Sequence, residues 1–387
     1  MPNTSAPQTG SATTHGGAGR RDVFKSVYRG RRVLVTGDTG FKGSWLALWL
    51  TRLGAHVVGY ANSVPTSPAL FEESDLARSI DHVTGDVRDL AELSSLVAKI
   101  QPDFVFHLAA QSLVRLSYEQ PVETFSTNVL GTVHLLEALR GLKKECCAVI
   151  ITSDKAYDNV EWSWGYRESD ALGGKDPYSG SKGAAELAIK SYWNSFFTLP
   201  DSKIRLAVGR AGNVIGGGDW AADRIVPDAV RAWSRGEPLS VRNPAATRPW
   251  QHVLEPLSGY LALGAMLESK AAGVNGEAFN IGPNSDVVVP VRELLEEMTA
   301  LWPGAVWQDL SVKGLQHEAT LLKLNCDKAL HSIKWRPTLS FSETVRYTSE
   351  WYQAYYRDRA EAKRITLEQI SNYEDLARER GVRWAEG

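Results

Sequence analysis

The chain of 387 residues is 43% hydrophobic, a size and composition that call for one large globular unit or two fused ones. Its 43 Lys and Arg against 45 Asp and Glu leave a net charge of -2, which excludes a general field for nucleic acid or an anionic membrane surface, so any anion must be held locally. Three cysteines, two of them adjacent as Cys146 and Cys147, supply neither a disulfide framework nor metal-ligand spacing; a reducing cytoplasm and no metal are expected.

Residues 1–20 are rich in Gly, Ser, Thr, Pro and Ala, with too few large apolar groups to offset the entropy of ordering. They read as a flexible tail with no signal-peptide core, and the tail is bounded at residue 28 in the domain division. No stretch reaches the roughly 18 uninterrupted apolar residues of a membrane span. The segment RRVLVTG reads as a strand running into a glycine turn, GSWLALWLTRLG as a helix, and HVVGYA as a second strand, which together make a βαβ unit. Apolar runs at 103–110, 148–154 and 204–216 read as further strands separated by helical segments. Alternation of this kind predicts an α/β fold with a doubly wound parallel sheet of the Rossmann type. Beyond residue 215 the pattern loosens. A smaller mixed α/β substrate lobe is expected over 216–387, with segments returning to a dinucleotide-binding domain at 29–215, and ligands are expected at the carboxyl edge of the sheet.

The turn Gly37-Asp38-Thr39-Gly40-Phe41-Lys42-Gly43 sits between strand and helix, where glycines allow a pyrophosphate to approach free helix N–H groups. Its spacing is G-x-x-G-x-x-G, and the second strand ends in Asn62 without the acid that grips a ribose hydroxyl. Lys42 is thus a candidate partner for a 2'-phosphate, which keeps NADP open as the weaker alternative to NAD. Asp86, in Gly85-Asp86-Val87, is a candidate acceptor for the adenine amino group, and a loop cap is the competing reading.

Tyr178 and Lys182 are four residues apart at the start of a helical segment, so they share one face. Ser153, at the end of the preceding strand, places a hydroxyl where it can meet the tyrosine. The lysine charge is expected to pull the phenol below its ordinary pKa of about 10, giving a base. Asp154 and Lys155 follow Ser153 directly. A dehydrogenase or epimerase has no use for this extra acid and base, whereas eliminating water from a sugar requires both.

These segments resemble the CDP-glucose 4,6-dehydratases, a branch of the extended short-chain dehydrogenase/reductases. The resemblance runs from Arg31 to about Tyr356 through Thr36–Leu46, HLAAQSLVRLSYEQP, ITSDKAY, WGYRESDALGGKDPYSGSKGAAEL, GRAGNVIGGGDWAADRIVPD and TRPWQHVLEPLSGYL. It departs from the pattern at Asp38, where His is common, and at Ser112, where Pro is common. The resemblance implies tightly held NAD lined by Gly37, Thr39, Gly40, Phe41, Lys42, Gly43, Asp86 and Val87, and by Leu108, Ala109, Ala110, Gln111, Thr127, Tyr178 and Lys182. It further implies CDP-glucose as the favoured substrate, touched by Ser112, Asn213 and Arg248, and a homodimer, with a tetramer as the alternative. The implied cycle oxidises C4 with Tyr178 as base, eliminates water through Lys155 and Asp154, and returns the hydride to C6. A lysine acting as the C5 base must come down about 3 units from about 10.4; acting through a water, or orienting Asp154, is the other role open to Lys155. A nucleotide-sugar 4-epimerase and a non-catalytic nucleotide-binding protein are the rival functions.

Overall fold

The computed structural model describes residues 23–284, 287–311 and 322–386. Seven parallel strands form the central sheet: β1 (Arg32–Thr36), β2 (His56–Ala61), β3 (Asp81–Thr84), β4 (Phe104–His107), β5 (Cys146–Ile151), β6 (Ile204–Arg210) and β7 (Ala278–Asn280). Their spatial order is β7-β6-β5-β4-β1-β2-β3, so the direction of winding reverses between β1 and β4. A crevice opens at that reversal, outside the carboxyl ends of the strands. β5 is buried along its whole length, which explains why CCAVII shows no polar alternation.

Helices cover both faces: α1 (Phe41–Arg52), α2 (Leu90–Ile100), α3 (Gly131–Arg140), α4 (Pro177–Tyr192), α5 (Leu254–Glu268), α6 (Phe341–Arg357) and α7 (Glu361–Glu379). Alternate strand residues point to opposite layers. Val33, Val35, Phe104 and Val149 join α1 and α5 on one side, while Leu34, Val105, Ala148 and Ile150 join α2, α3 and α4 on the other.

α1 is buried all round, because α7 returns from the carboxyl end of the chain to cover it. There Trp49 Nε1 donates to Glu374 Oε1 at 2.8 Å and its ring meets Tyr373 edge-on. The strand expected over 204–216 stops at Arg210. Asn213 takes a left-handed φ of 51°, and Val214–Ile215 leaves the sheet to pair with Gln251–His252. The tail boundary expected at residue 28 also moves: Val23, Phe24 and Tyr28 are core residues, with Phe24 stacked on Trp384 and Tyr28 donating to Leu261 O. The tail expected at 1–20 lies outside the described residues. Among the described residues, no helix is long and apolar enough to cross a membrane, and no cluster of His, Cys, Asp and Glu is arranged to hold a metal.

Candidate active site

The glycine turn leads from β1 into α1 with no room for a side chain at Gly37 or Gly43. A Cβ on Gly37 would lie 2.8 Å from Ala109 N, and one on Gly43 would lie 2.0 Å from Gly37 O. Gly40 caps α1 without a side-chain hydrogen bond, and the first turn carries no acid, so its N–H groups and the positive end of its dipole face the crevice unopposed. That cradle fits the pyrophosphate of a dinucleotide, with Leu108, Ala109 and Ala110 forming the opposite wall after β4.

The other residues expected around a dinucleotide are less uniform. Thr39 spends its hydroxyl on Ser63 O at 2.7 Å. The Asp86 carboxylate is held by Arg88, whose Nε lies 3.0 Å from each oxygen, and by Asn62; the Arg88 guanidinium brings its pKa down to about 2. Val87 packs against Gly131. Gln111 N and O are both tied to the Asn128 side chain, at 2.9 and 3.0 Å, and Asn128 donates on to Ser181 Oγ at 2.8 Å, which fixes this wall to α4. Thr127 lies in the adjoining turn, Ser126–Leu130. Lys42, considered above for a 2'-phosphate, does not reach toward the end of β2. Its ammonium stands 5.9 Å from the centroid of the Tyr260 ring, within electrostatic reach of Asp154, Lys182 and Arg224. The NADP alternative thereby loses the cation on which it rested.

β5 and α4 bring the reactive groups together. Ser153 caps the short turn Asp154–Ala156, accepting from Lys155 N at 3.2 Å and donating to Asp154 Oδ1 at 2.9 Å. Asn213 donates to Asp154 Oδ2 at 3.3 Å, so both oxygens of this buried carboxylate are positioned. Asp176 caps α4 through Ser179 N, and one turn of helix presents Tyr178 and Lys182 to the same crevice.

The expected acidification of Tyr178 does not follow from the protein groups alone. Burial drives the phenol up to about 12; the hydrogen bond with Ser153 and the charge of Arg224 oppose that rise, and Asp154 adds to it. Burial, assisted by the nearby charge of Lys42, brings Lys182 down to about 8. His107 is kept neutral, its pKa down at about 3, by burial and by Lys182, and its Nδ1 lies 2.7 Å from Thr36 Oγ1.

The substrate residues expected from sequence sit on the lobe side. Arg248 lies in Thr247–Arg248, which pairs with Val289–Pro290, and its Nη1 donates to Thr247 O at 2.7 Å. Ser112 Oγ accepts from Arg224 at 3.5 Å, while Arg224 is anchored to Asp219 at 2.7 Å. A small cavity beside Asp154 is walled by Gly212, Gln251, Asn284 and Lys323. Several of these groups carry no recognisable sequence signal. Arg224, Gln251 and Asn128 are brought in by the tertiary fold, and so is the buried Glu186–Arg210 pair, with N to O at 2.8 Å, which clamps α4 to β6.

A family profile described as GDP-mannose 4,6 dehydratase matches residues 34–348. CDP-glucose 4,6-dehydratase of Salmonella typhimurium is 48% identical over 338 residues, 87% of this chain and 94% of that protein. dTDP-glucose 4,6-dehydratase of Haemophilus influenzae is 27% identical, across 83% of this chain and 97% of its own. A solved structure, MoeE5 in complex with UDP-glucose and NAD, superposes with a TM-score of 0.66 at 25% identity, covering 83% of this chain and 98% of that one. The chain belongs to the GDP-mannose 4,6 dehydratase family, among the nucleotide-sugar dehydratases of the extended short-chain dehydrogenase/reductases.

Proposed function

We propose that this enzyme converts CDP-D-glucose to CDP-4-keto-6-deoxy-D-glucose with NAD bound in the β1–α1 cradle. The observation that carries the reading is the run Ser153-Asp154-Lys155 at the end of β5, with the Asp154 carboxylate oriented by Ser153 and Asn213 and facing the crevice that holds Tyr178. The high identity to the Salmonella CDP-glucose enzyme supports the choice of CDP over other nucleotides.

The nicotinamide, when bound, supplies a reversible hydride acceptor. Ser153 holds the sugar O4 and Tyr178 takes its proton as C4 becomes a ketone. The ketone acidifies the C5 hydrogen, which Lys155 removes. Asp154 gives a proton to the departing C6 hydroxyl, water leaves, and return of the hydride to C6, with Lys155 giving a proton back to C5, would complete the 4-keto-6-deoxy sugar. Asp154 and Lys155 share one short turn, so the acid and base act on adjacent carbons without a change in the main chain. Arg248 and Arg224 supply guanidinium groups on the lobe side suited to a diphosphate.

A panel of CDP-, dTDP-, GDP- and UDP-glucose, each assayed for 4-keto product, tests the reading. The CDP sugar is expected to give the highest kcat/KM; preference for another base refutes the substrate, and absence of keto product from all four refutes the activity. A homodimer is supported by Val122, Phe125, Leu130 and Leu187, large apolar side chains exposed on and beside α4. Sedimentation of the full chain checks it, and a monomer at micromolar concentration counts against it.

A further inference from the structure

Lys42 is poorly placed for a structural lysine. It is the second residue of α1, where the helix dipole repels a cation. It is half-buried, and among the described residues no acceptor bonds its ammonium. Two of the charged groups near it, Lys182 and Arg224, carry its own sign, and Asp154 alone opposes it. The Tyr260 ring it approaches carries a buried hydroxyl that is also without a partner. A neutral side chain would cost less at every one of these points, and departures of this kind concentrate at functional positions. Lys42 stands within electrostatic reach of Lys182, Arg224 and Asp154, while Asp219 is already paired with Arg224 and Glu186, beside Lys182, is paired with Arg210.

The first half of the proposed reaction changes the charge in this crevice. The C4–H electron pair passes to the nicotinamide ring, which loses its positive charge; the O4 proton goes to Tyr178; C4 is left as a carbonyl. The sugar is oxidised and the cofactor reduced by the same two electrons. Any fixed positive charge nearby disfavours the cationic ring and favours the neutral one.

We propose that Lys42 is an electrostatic positioning residue that biases the bound cofactor toward its reduced form, so that the hydride stays on the enzyme while water is eliminated. The inference rests on the assignment of NAD to this crevice.

The test measures dissociation constants of NAD and NADH for the full chain and for Lys42→Met and Lys42→Arg, without sugar. Removing the charge in Lys42→Met is expected to shift the ratio of the two constants by about tenfold in favour of NAD, equivalent to about 30 mV for this two-electron couple. Lys42→Arg keeps the parental ratio. The melting temperature of Lys42→Met stays level or rises, because the variant sheds a half-buried charge from the wrong end of a helix. An unchanged ratio overturns the inference while leaving the cofactor assignment intact. Equal weakening of both dinucleotides makes Lys42 a pyrophosphate ligand, and weakening of CDP-glucose alone makes it a substrate ligand; either result overturns the proposal. If the parental protein binds neither dinucleotide, the cofactor assignment fails and the inference falls with it.

Discussion

Gly212 offers a way to disturb elimination without touching a reactive side chain. It follows β6 with only a hydrogen toward Asp154: a Cβ there would lie 2.1 Å from the carboxyl carbon and from Oδ2, and 2.3 Å from Oδ1. Its φ is not in the left-handed region, so alanine is compatible with the main chain and the strain falls on the carboxylate. Restoring a normal contact of about 3.5 Å requires Asp154 to retreat by roughly 1 to 1.5 Å. That movement is enough to break the 2.9 Å bond from Ser153 and the 3.3 Å bond from Asn213. Misplacing a reacting group by about 1 Å costs on the order of 100-fold, about 2.7 kcal/mol in the barrier. Tyr178 and Lys182 stand on α4 and are not displaced. In a single turnover of Gly212→Ala with CDP-glucose, reduced nicotinamide is expected to form within a few-fold of the parental rate and then persist, while release of water slows about 100-fold. A variant that folds normally and loses water at the parental rate refutes the placement of Asp154 at the leaving hydroxyl.

Tyr178→Phe keeps the buried ring but removes the proton acceptor, and is expected to lower kcat by at least about 100-fold with an unchanged melting temperature; near-parental turnover rules out this base. Asp154→Asn and Lys155→Met leave Tyr178 in place and are expected to reduce the cofactor yet slow entry of solvent deuterium at C5 by about 100- to 10,000-fold, most severely for Lys155→Met. If neither variant reduces the cofactor, these residues serve binding or folding instead. Lys182, brought down to about 8, is protonated below that pH and loses its charge above it. Tyr178, pushed up to about 12, is then still a phenol, and phenolate beside charged Lys182 is the other form of the same singly deprotonated pair, so kcat/KM is expected to rise about tenfold per unit toward pH 8 and to level off above it; a profile that falls steadily from pH 8 to 9.5 contradicts this.

The sheet and its motifs were legible because their signals are local. Continuous apolar runs, glycine spacing and the four-residue interval between Tyr178 and Lys182 each rest on geometry repeated within a few residues. Direction was not legible where it depends on packing. Lys42 reads in sequence as a candidate partner for a 2'-phosphate, and only its approach to Tyr260 on α5 shows that it turns into the crevice. The pKa of Tyr178 is not legible in the sequence for a related reason: pattern shows which charges are near in sequence, whereas burial of the phenol outweighs them. Residues 23–28 read as tail because a few apolar side chains give no period. Their partners are Trp49, on α1, and Trp384, near the far end of the chain. Gly212 carries no distinguishing mark until Asp154 is seen against it.

Dehydration is the claim on which the rest depends, and incubation of the full chain with CDP-D-glucose and NAD in deuterium oxide tests it directly by mass spectrometry and NMR of the sugar nucleotide. The account predicts a 4-keto-6-deoxy product that has lost one water and carries one solvent deuterium at C5, with no net reduction of NAD. A product of the same mass as the substrate, inverted at C4 and free of deuterium, would show an epimerase and contradict it.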